Sequence, residues 1–277
     1  MQRLTRAGFV SPSRVARGGF AAKKIIMKAD KKDLEELYRK YNRPEFIHPD
    51  PLEFIYRYKT AGDRETAGFI AAALAYGNVN QILKTVEKVL KPMGASPRNW
   101  LLKSGGKDIA GTFFSFRHRF TAGAELSLFL INIKAALKKH DSLENCFLKH
   151  YRPADDTLAE AVYSFVNDFN AEACAPTLTP CPGKRSSFKR LNLFLRWMVR
   201  RDAVDPGVWK GIPPSKLIVP LDTHMFRVAK DLGLTARNGA SMRTALEITA
   251  AFRRVNPADP VRYDFALTRA GIRKNNI

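Results

Sequence analysis

The sequence has little of several things that would settle its class at once. Cysteine occurs only at Cys146, Cys174 and Cys181. Three are too few for a disulfide scaffold, and their spacing fits neither a zinc site nor an iron–sulfur cluster, which take four ligands in close pairs. A reducing cytoplasm is the location this implies. Histidine is also scarce, with five residues and no paired spacing, so no metal and no cofactor are expected. No apolar run approaches the ~20 residues that span a bilayer; Phe69–Tyr76 is among the longest. A membrane is therefore excluded as a partner. No stretch alternates with period two, so no sheet is expected.

Acidic residues are the most telling shortage. Asp and Glu total 26 against 47 Lys and Arg, a formal charge of +21. Such an excess calls for a polyanion, most often nucleic acid. Residues 1–28 contribute seven cations and no acid, leaving +14 for the rest. This first segment is Arg-rich and lacks a secretory apolar core. Residues 1–27 are read as a basic extension, either a disordered arm or an untranslated stretch. Residues 28–277 are read as one helical domain.

What is present is helical periodicity almost throughout. Asp30 is placed to cap a helix with Leu34, Leu37, Tyr38 and Tyr41 on one face. Further helices are predicted over Leu52–Tyr58, Glu65–Tyr76 (capped by Asp63), Val79–Leu90, Ala124–Lys139, Ser142–His150, Asp156–Asn170, Ser186–Arg200, Thr223–Leu232, Met242–Val255 and Val261–Ala270. Residues 103–122 read as a glycine-rich, basic, aromatic loop. Its Phe113–Phe120 segment, with Arg117 and Arg119, suits core packing or the stacking of unpaired bases. The fold class is all-α.

The helix predicted over Ser186–Arg200 is the most informative. Leu191, Leu193, Phe194, Leu195, Trp197, Met198 and Val199 mark it as buried. Lys189, Asn192, Arg196 and Arg200 form one polar stripe. A mostly cationic stripe on a buried helix must face a cleft, a partner or compensating acids. Lys189 falls in the first turn, where the helix dipole, nearby cations and burial all disfavour an ammonium. A free amine there would be a nucleophile; an ordinary solvated lysine is the plainer reading. Downstream, Asp222 precedes a helix with Met225, Val228, Ala229 and Leu232 on one face, which makes it an N-cap. A capping carboxylate is also held rigid and ionised at a cleft mouth. His224 is read as a capping or supporting residue, and Trp209 as a loop anchor.

The segment Leu221-Asp222-Thr223-His224, with Arg227 and Leu232-Gly233-Leu234, resembles the helix-hairpin-helix DNA glycosylase superfamily. Ile70–Asn78 is similar to that superfamily's early helix and base-probing loop. Lys189 is similar to the lysine that opens the second hairpin helix in bifunctional members. The 33-residue interval from Lys189 to Asp222 is nearest the archaeal oxidised-guanine glycosylase branch. More specifically, Lys189–Arg201, Gly211–Leu217 and His48–Pro51 identify the chain as a member of an uncharacterised bacterial family, a domain of unknown function over roughly residues 30–274.

The superfamily resemblance implies a two-lobed helical fold with a cleft between the lobes. It implies base excision from duplex DNA carrying a damaged base, with or without strand nicking. Lys189 and Asp222 would be catalytic. Tyr76, Asn78, Asn192, Arg196 and Asp264 would line the base pocket, with Tyr76, Asn78 or Gln81 filling the gap in the stack. Lys184, Arg185, Ser186, Arg200 and Arg201 would hold the nucleic-acid backbone. The hairpin departs from the superfamily pattern: it has one glycine, Gly183, and the iron–sulfur cysteines are absent. The alternatives are a non-enzymatic nucleic-acid-binding protein on the same fold, or an enzyme acting on an RNA or nucleotide base.

Overall fold

A computed structural model describes residues 31–181 and 186–274. The basic extension and Lys184 and Arg185 lie outside the described residues. The fold is all-α. Helix α1 spans Lys31–Tyr41 and buries Leu34. A 3₁₀ turn, Pro51–Arg57, replaces the α-helix predicted over Leu52–Tyr58; the Asp50 side chain caps it by accepting from Leu52 N at 3.0 Å. Helix α2 spans Ala61–Ala73 and starts earlier than predicted. Thr60, not Asp63, is its cap, because the Asp63 carboxylate accepts instead from Ser96, Thr60 and Arg98 N. Helix α3 keeps its predicted bounds, Val79–Leu90, with Asn78 as N-cap.

Two short helices, α4 (Pro97–Lys103) and α5 (Gly106–Thr112), precede a hairpin of β1 (Arg117–His118) and β2 (Thr121–Ala122). The expectation of no sheet is corrected here: two-residue strands are too short to show alternation. Next come α6 (Gly123–His140), α7 (Leu143–Leu148), α8 (Ala159–Phe169), α9 (Lys189–Val199), α10 (Thr223–Asp231), α11 (Met242–Val255) and α12 (Asp264–Lys274). None of the described helices is long and apolar enough to cross a membrane.

Buried apolar side chains from Leu34 to Leu267 form one connected core. Helix α2 runs through it, buried from Glu65 to Ala73. Phe69 sits among Phe129, Phe169 and Phe194, with ring centroids 4.9–5.3 Å away, close enough for edge-to-face and tilted packing. Cys174 and Cys181 form a disulfide, leaving the buried Cys146 as the free thiol. A disulfide is the opposite of what the reducing-compartment reading implies. Burial pushes the Cys146 thiol up to about 11, so it is an inert core residue.

The polar stripe of α9 meets compensating acids. Arg196 Nη1 donates to Asp264 Oδ2 at 2.5 Å and its Nη2 lies 3.1 Å from Asp205 Oδ1. Arg200 pairs with Asp202 at 2.8 Å, with Asp259 at 3.0 Å, and with Asp205. Both guanidinium groups are almost fully buried. Arg200, expected on the nucleic-acid backbone, thus sits out of solvent among three carboxylates, and Arg196 and Asp264, expected in the base pocket, are buried against each other. Burial pushes Asp264 up to about 6, and the charges of Asp222 and Asp205 act in the same direction against the pull of Arg196.

Removing one member of a buried ion cluster leaves an uncompensated charge, which costs about 3–5 kcal/mol. Asp205→Ala is expected to destabilise the protein by that amount, measured by denaturant unfolding. A change under about 1 kcal/mol would show that the cluster does not hold α9 in place.

Candidate functional site

Lys189 is the first residue of α9 and Asp222 is the N-cap of α10. Asp222 Oδ1 accepts from Met225 N at 2.6 Å, as its capping role requires. Its Oδ2 lies 3.3 Å from Lys189 Nζ. The two side chains are 36% and 30% exposed, so neither is sealed behind packed hydrocarbon. The amine is not deeply buried, and it is paired with a carboxylate.

The local backbone explains how Lys189 is aimed. Phe188, buried, takes φ +47°, a left-handed conformation that costs a bulky L-residue energy. Asn192 Nδ2 donates to the Ser187 carbonyl at 3.1 Å, and Asn192 N to the Phe188 carbonyl at 2.8 Å. These bonds tie the strained entry to the first turn of α9. Asn192, expected in the base pocket, is buried and spends its side chain on this backbone bond. The helix starts at Lys189 and not at Ser186; exposed Ser186 accepts from Phe188 N at 3.1 Å in the approach.

Lys189 opens onto a cleft of about 420 Å³. Its walls include Tyr76, Phe120, Leu178, Ser186, Lys189 and Arg190. The described walls carry two cations and no carboxylate; Asp222 reaches the cleft only through Lys189. Arg190 is a member that sequence reasoning missed. Its Nη1 donates to the carbonyls of Ala73 at 2.5 Å and Thr177 at 2.6 Å, and its guanidinium lies 5.0 Å from the Tyr76 ring centre. Burial without a paired acid lowers its pKa. The available signal was a lone arginine off the polar stripe of an otherwise apolar helix.

Tyr76 lies in the cleft as expected, but its hydroxyl is committed: it donates to the His118 carbonyl at 2.9 Å and bonds Thr121. Asn78 is exposed and spends its side chain capping α3. Between them Gly77 has φ +99°, and a Cβ there would lie 2.9 Å from the Arg119 side chain. The turn after α2 therefore adjoins the β1–β2 hairpin. Arg201 is exposed and sits apart from the cleft walls. No group of three or more His, Cys, Asp or Glu among the described residues is arranged to hold a metal ion.

His118 fastens the hairpin beside this cleft. Its Nδ1 pairs with Thr85 Oγ1 at 3.0 Å and its Nε2 donates to the Tyr76 carbonyl at 3.2 Å. Burial, reinforced by Arg119 and Arg190, lowers its pKa below 6.5. The folded state thus favours neutral imidazole. This contribution to stability is complete above 6.5 and is lost as pH falls through the lower folded value. Wild-type protein is expected to lose stability on acidification from about pH 7 to 5, and His118→Gln to lose that His-dependent slope, in denaturant titrations. Identical slopes in the two proteins would contradict the assignment.

A second cavity, of about 380 Å³, lies between Asp63, Glu65, Arg98, Asp141, Glu144 and Trp209. Its carboxylates are structural. Glu65 accepts from Leu143 N, Glu144 N and Trp209 Nε1, which also explains Trp209 as an anchor. Comparison with curated proteins and with solved structures gives no match. Residues 50–273 match the family model described as "Protein of unknown function (DUF2400)", and by that match the chain belongs to this family.

Proposed function

We propose that the protein excises a base from nucleic acid, as a DNA glycosylase with Lys189 as nucleophile and Asp222 as its proton partner. The observation that carries this reading is the 3.3 Å approach of an amine and a carboxylate 33 residues apart, at the rim of a cationic cleft. The resemblance of Leu221–His224 to helix-hairpin-helix glycosylases points the same way.

In the proposed reaction a nucleotide enters the cleft out of its stack, which costs a few kcal/mol and least for a damaged base. The Lys189 ammonium gives a proton to Asp222 Oδ2, and the free amine attacks the sugar C1′. The C1′–N bond to the base breaks, and the departing base takes the proton that Asp222 had accepted. Ring opening leaves a protonated imine between Lys189 and C1′. Loss of a C2′ proton then breaks the C3′–O bond and nicks the strand. Asp222, ionised again once the base has taken its proton, stabilises the positive charge of the imine and accepts the C2′ proton. Exposed Arg117 and Arg119 beside the cleft, and exposed Arg201, are cations available for phosphates, in place of Arg200.

Borohydride converts such an imine to a stable amine. The full-length protein, incubated with duplexes carrying single damaged bases or an abasic site, is expected to form a covalent adduct that Lys189→Ala abolishes. Base release should fall about 10²- to 10⁴-fold in Asp222→Asn. Neither adduct nor base release from any lesion would leave Lys189–Asp222 as a clip between α9 and α10, and the protein as a non-enzymatic binder.

A further inference from the structure

We infer that Phe120, at the tip of the β1–β2 hairpin, is a stacking platform for an unpaired nucleic-acid base at the mouth of the Lys189 cleft. The inference rests on the nucleic-acid part of the proposed function and not on its chemistry.

The pairings Arg117–Ala122 and His118–Thr121 leave Arg119 and Phe120 as a two-residue tip. Arg119 has φ +50°, at a tip position where such turns usually place glycine or asparagine. Phe120 is 76% exposed, although nearly every other large apolar side chain described is buried or half-buried. The tip thus carries both backbone strain and an unburied ring, each of which costs the fold. Strain and exposed apolar surface at one spot point to binding.

The rest of the hairpin is rigid. His118 and Thr121 on either side are buried and bonded; Thr121 reaches Tyr76 and, at 2.5 Å, Thr177. At its base, a Cβ on Gly123 would lie 1.9 Å from the Phe113 carbonyl oxygen, so the backbone closes tightly there. The backbone that carries the ring is therefore held in place, which limits the ordering cost on binding. It forms one wall of the cleft that contains Lys189 and Arg190.

The charge around it selects the partner. No acidic residue occurs from Ile109 to Ala124, while Arg117 and Arg119 are exposed on either side of His118. The Arg119 guanidinium lies 5.4 Å from the Phe120 ring centre. An aromatic ring flanked by exposed arginines fits a π-faced base joined to phosphates. The Phe113–Phe120 segment thus divides: Phe113 and Phe116 pack inward, and Phe120 faces the cleft.

The test is binding of labelled oligodeoxythymidylate, and of a duplex with one bulged base, by the full-length protein. Phe120→Ala is expected to weaken both about 5- to 150-fold and to leave a fully paired duplex nearly unaffected. Phe120→Trp should restore binding, with its added emission quenched in the complex. Phe114, 86% exposed but outside the cleft walls, is the control. Unchanged affinity in Phe120→Ala, an equal loss in Phe114→Ala, or unquenched emission would each overturn the assignment. So would Phe120-dependent binding to anionic vesicles without binding to oligonucleotides. None of these outcomes bears on borohydride trapping, so the two ideas fail separately.

Discussion

The structure depends on how two buried arginines at the C-terminal end of one helix are neutralised. Arg196 lies on α9 and Arg200 is the residue that caps its C-terminus, and the acids around them come from the segment just after the helix (Asp202, Asp205), from the approach to α12 (Asp259) and from α12 itself (Asp264). Taking such ions out of water costs several kcal/mol each, recovered only when geometry and hydrogen bonding are nearly complete. A helix held this way has few alternative positions, because almost any displacement exposes a charge to hydrocarbon. That requirement, more than apolar packing, orients α9. Hydrophobic contacts are non-directional, whereas a guanidinium with two carboxylates in its fork is not.

The candidate site is built outward from this lattice. With the C-terminal half of α9 fixed, its N-terminus is fixed too, and Lys189 projects toward Asp222. Asp222 is in turn fixed by capping α10, with one oxygen on Met225 N and the other toward the amine. The opposite wall comes from a different part of the chain: the turn after α2, and the hairpin locked to it by Tyr76, His118 and Thr121. Arg190 ties the two walls together through the carbonyls of Ala73 and Thr177.

Most of the helices were legible in the sequence because their faces repeat with the helical period; α3 and α11 are found at their predicted bounds. Asp222 was legible as a cap for the same reason. The stripe from Lys189 to Arg200 was legible as a stripe, but not the group it faces, because Asp259 and Asp264 lie some sixty residues further on. The start of α2 was misread because Asp63 looks like a cap until Ser96 and Arg98 claim its carboxylate. The start of α9 was misread because nothing in Ser186-Ser187-Phe188 announces a left-handed phenylalanine. The hairpin was invisible, having too few residues to set a period and none of the usual turn residues. The disulfide was missed because a single local pair leaves no repeating pattern of cysteines.

The ion lattice also fixes chain length between two points. Each residue added to a helix rotates the downstream chain by about 100° and advances it by about 1.5 Å. Lys189 and Arg196 are seven residues apart, nearly two full turns, so amine and guanidinium emerge on one side and meet Asp222 and Asp264 together. One inserted or deleted residue between them would keep either contact but not both. Substitutions inside that window are constrained by size and polarity, whereas changes in its length are barred outright. The exposed stretch Ala236–Ser241 before α11 carries no such phase relation, and length variation belongs there.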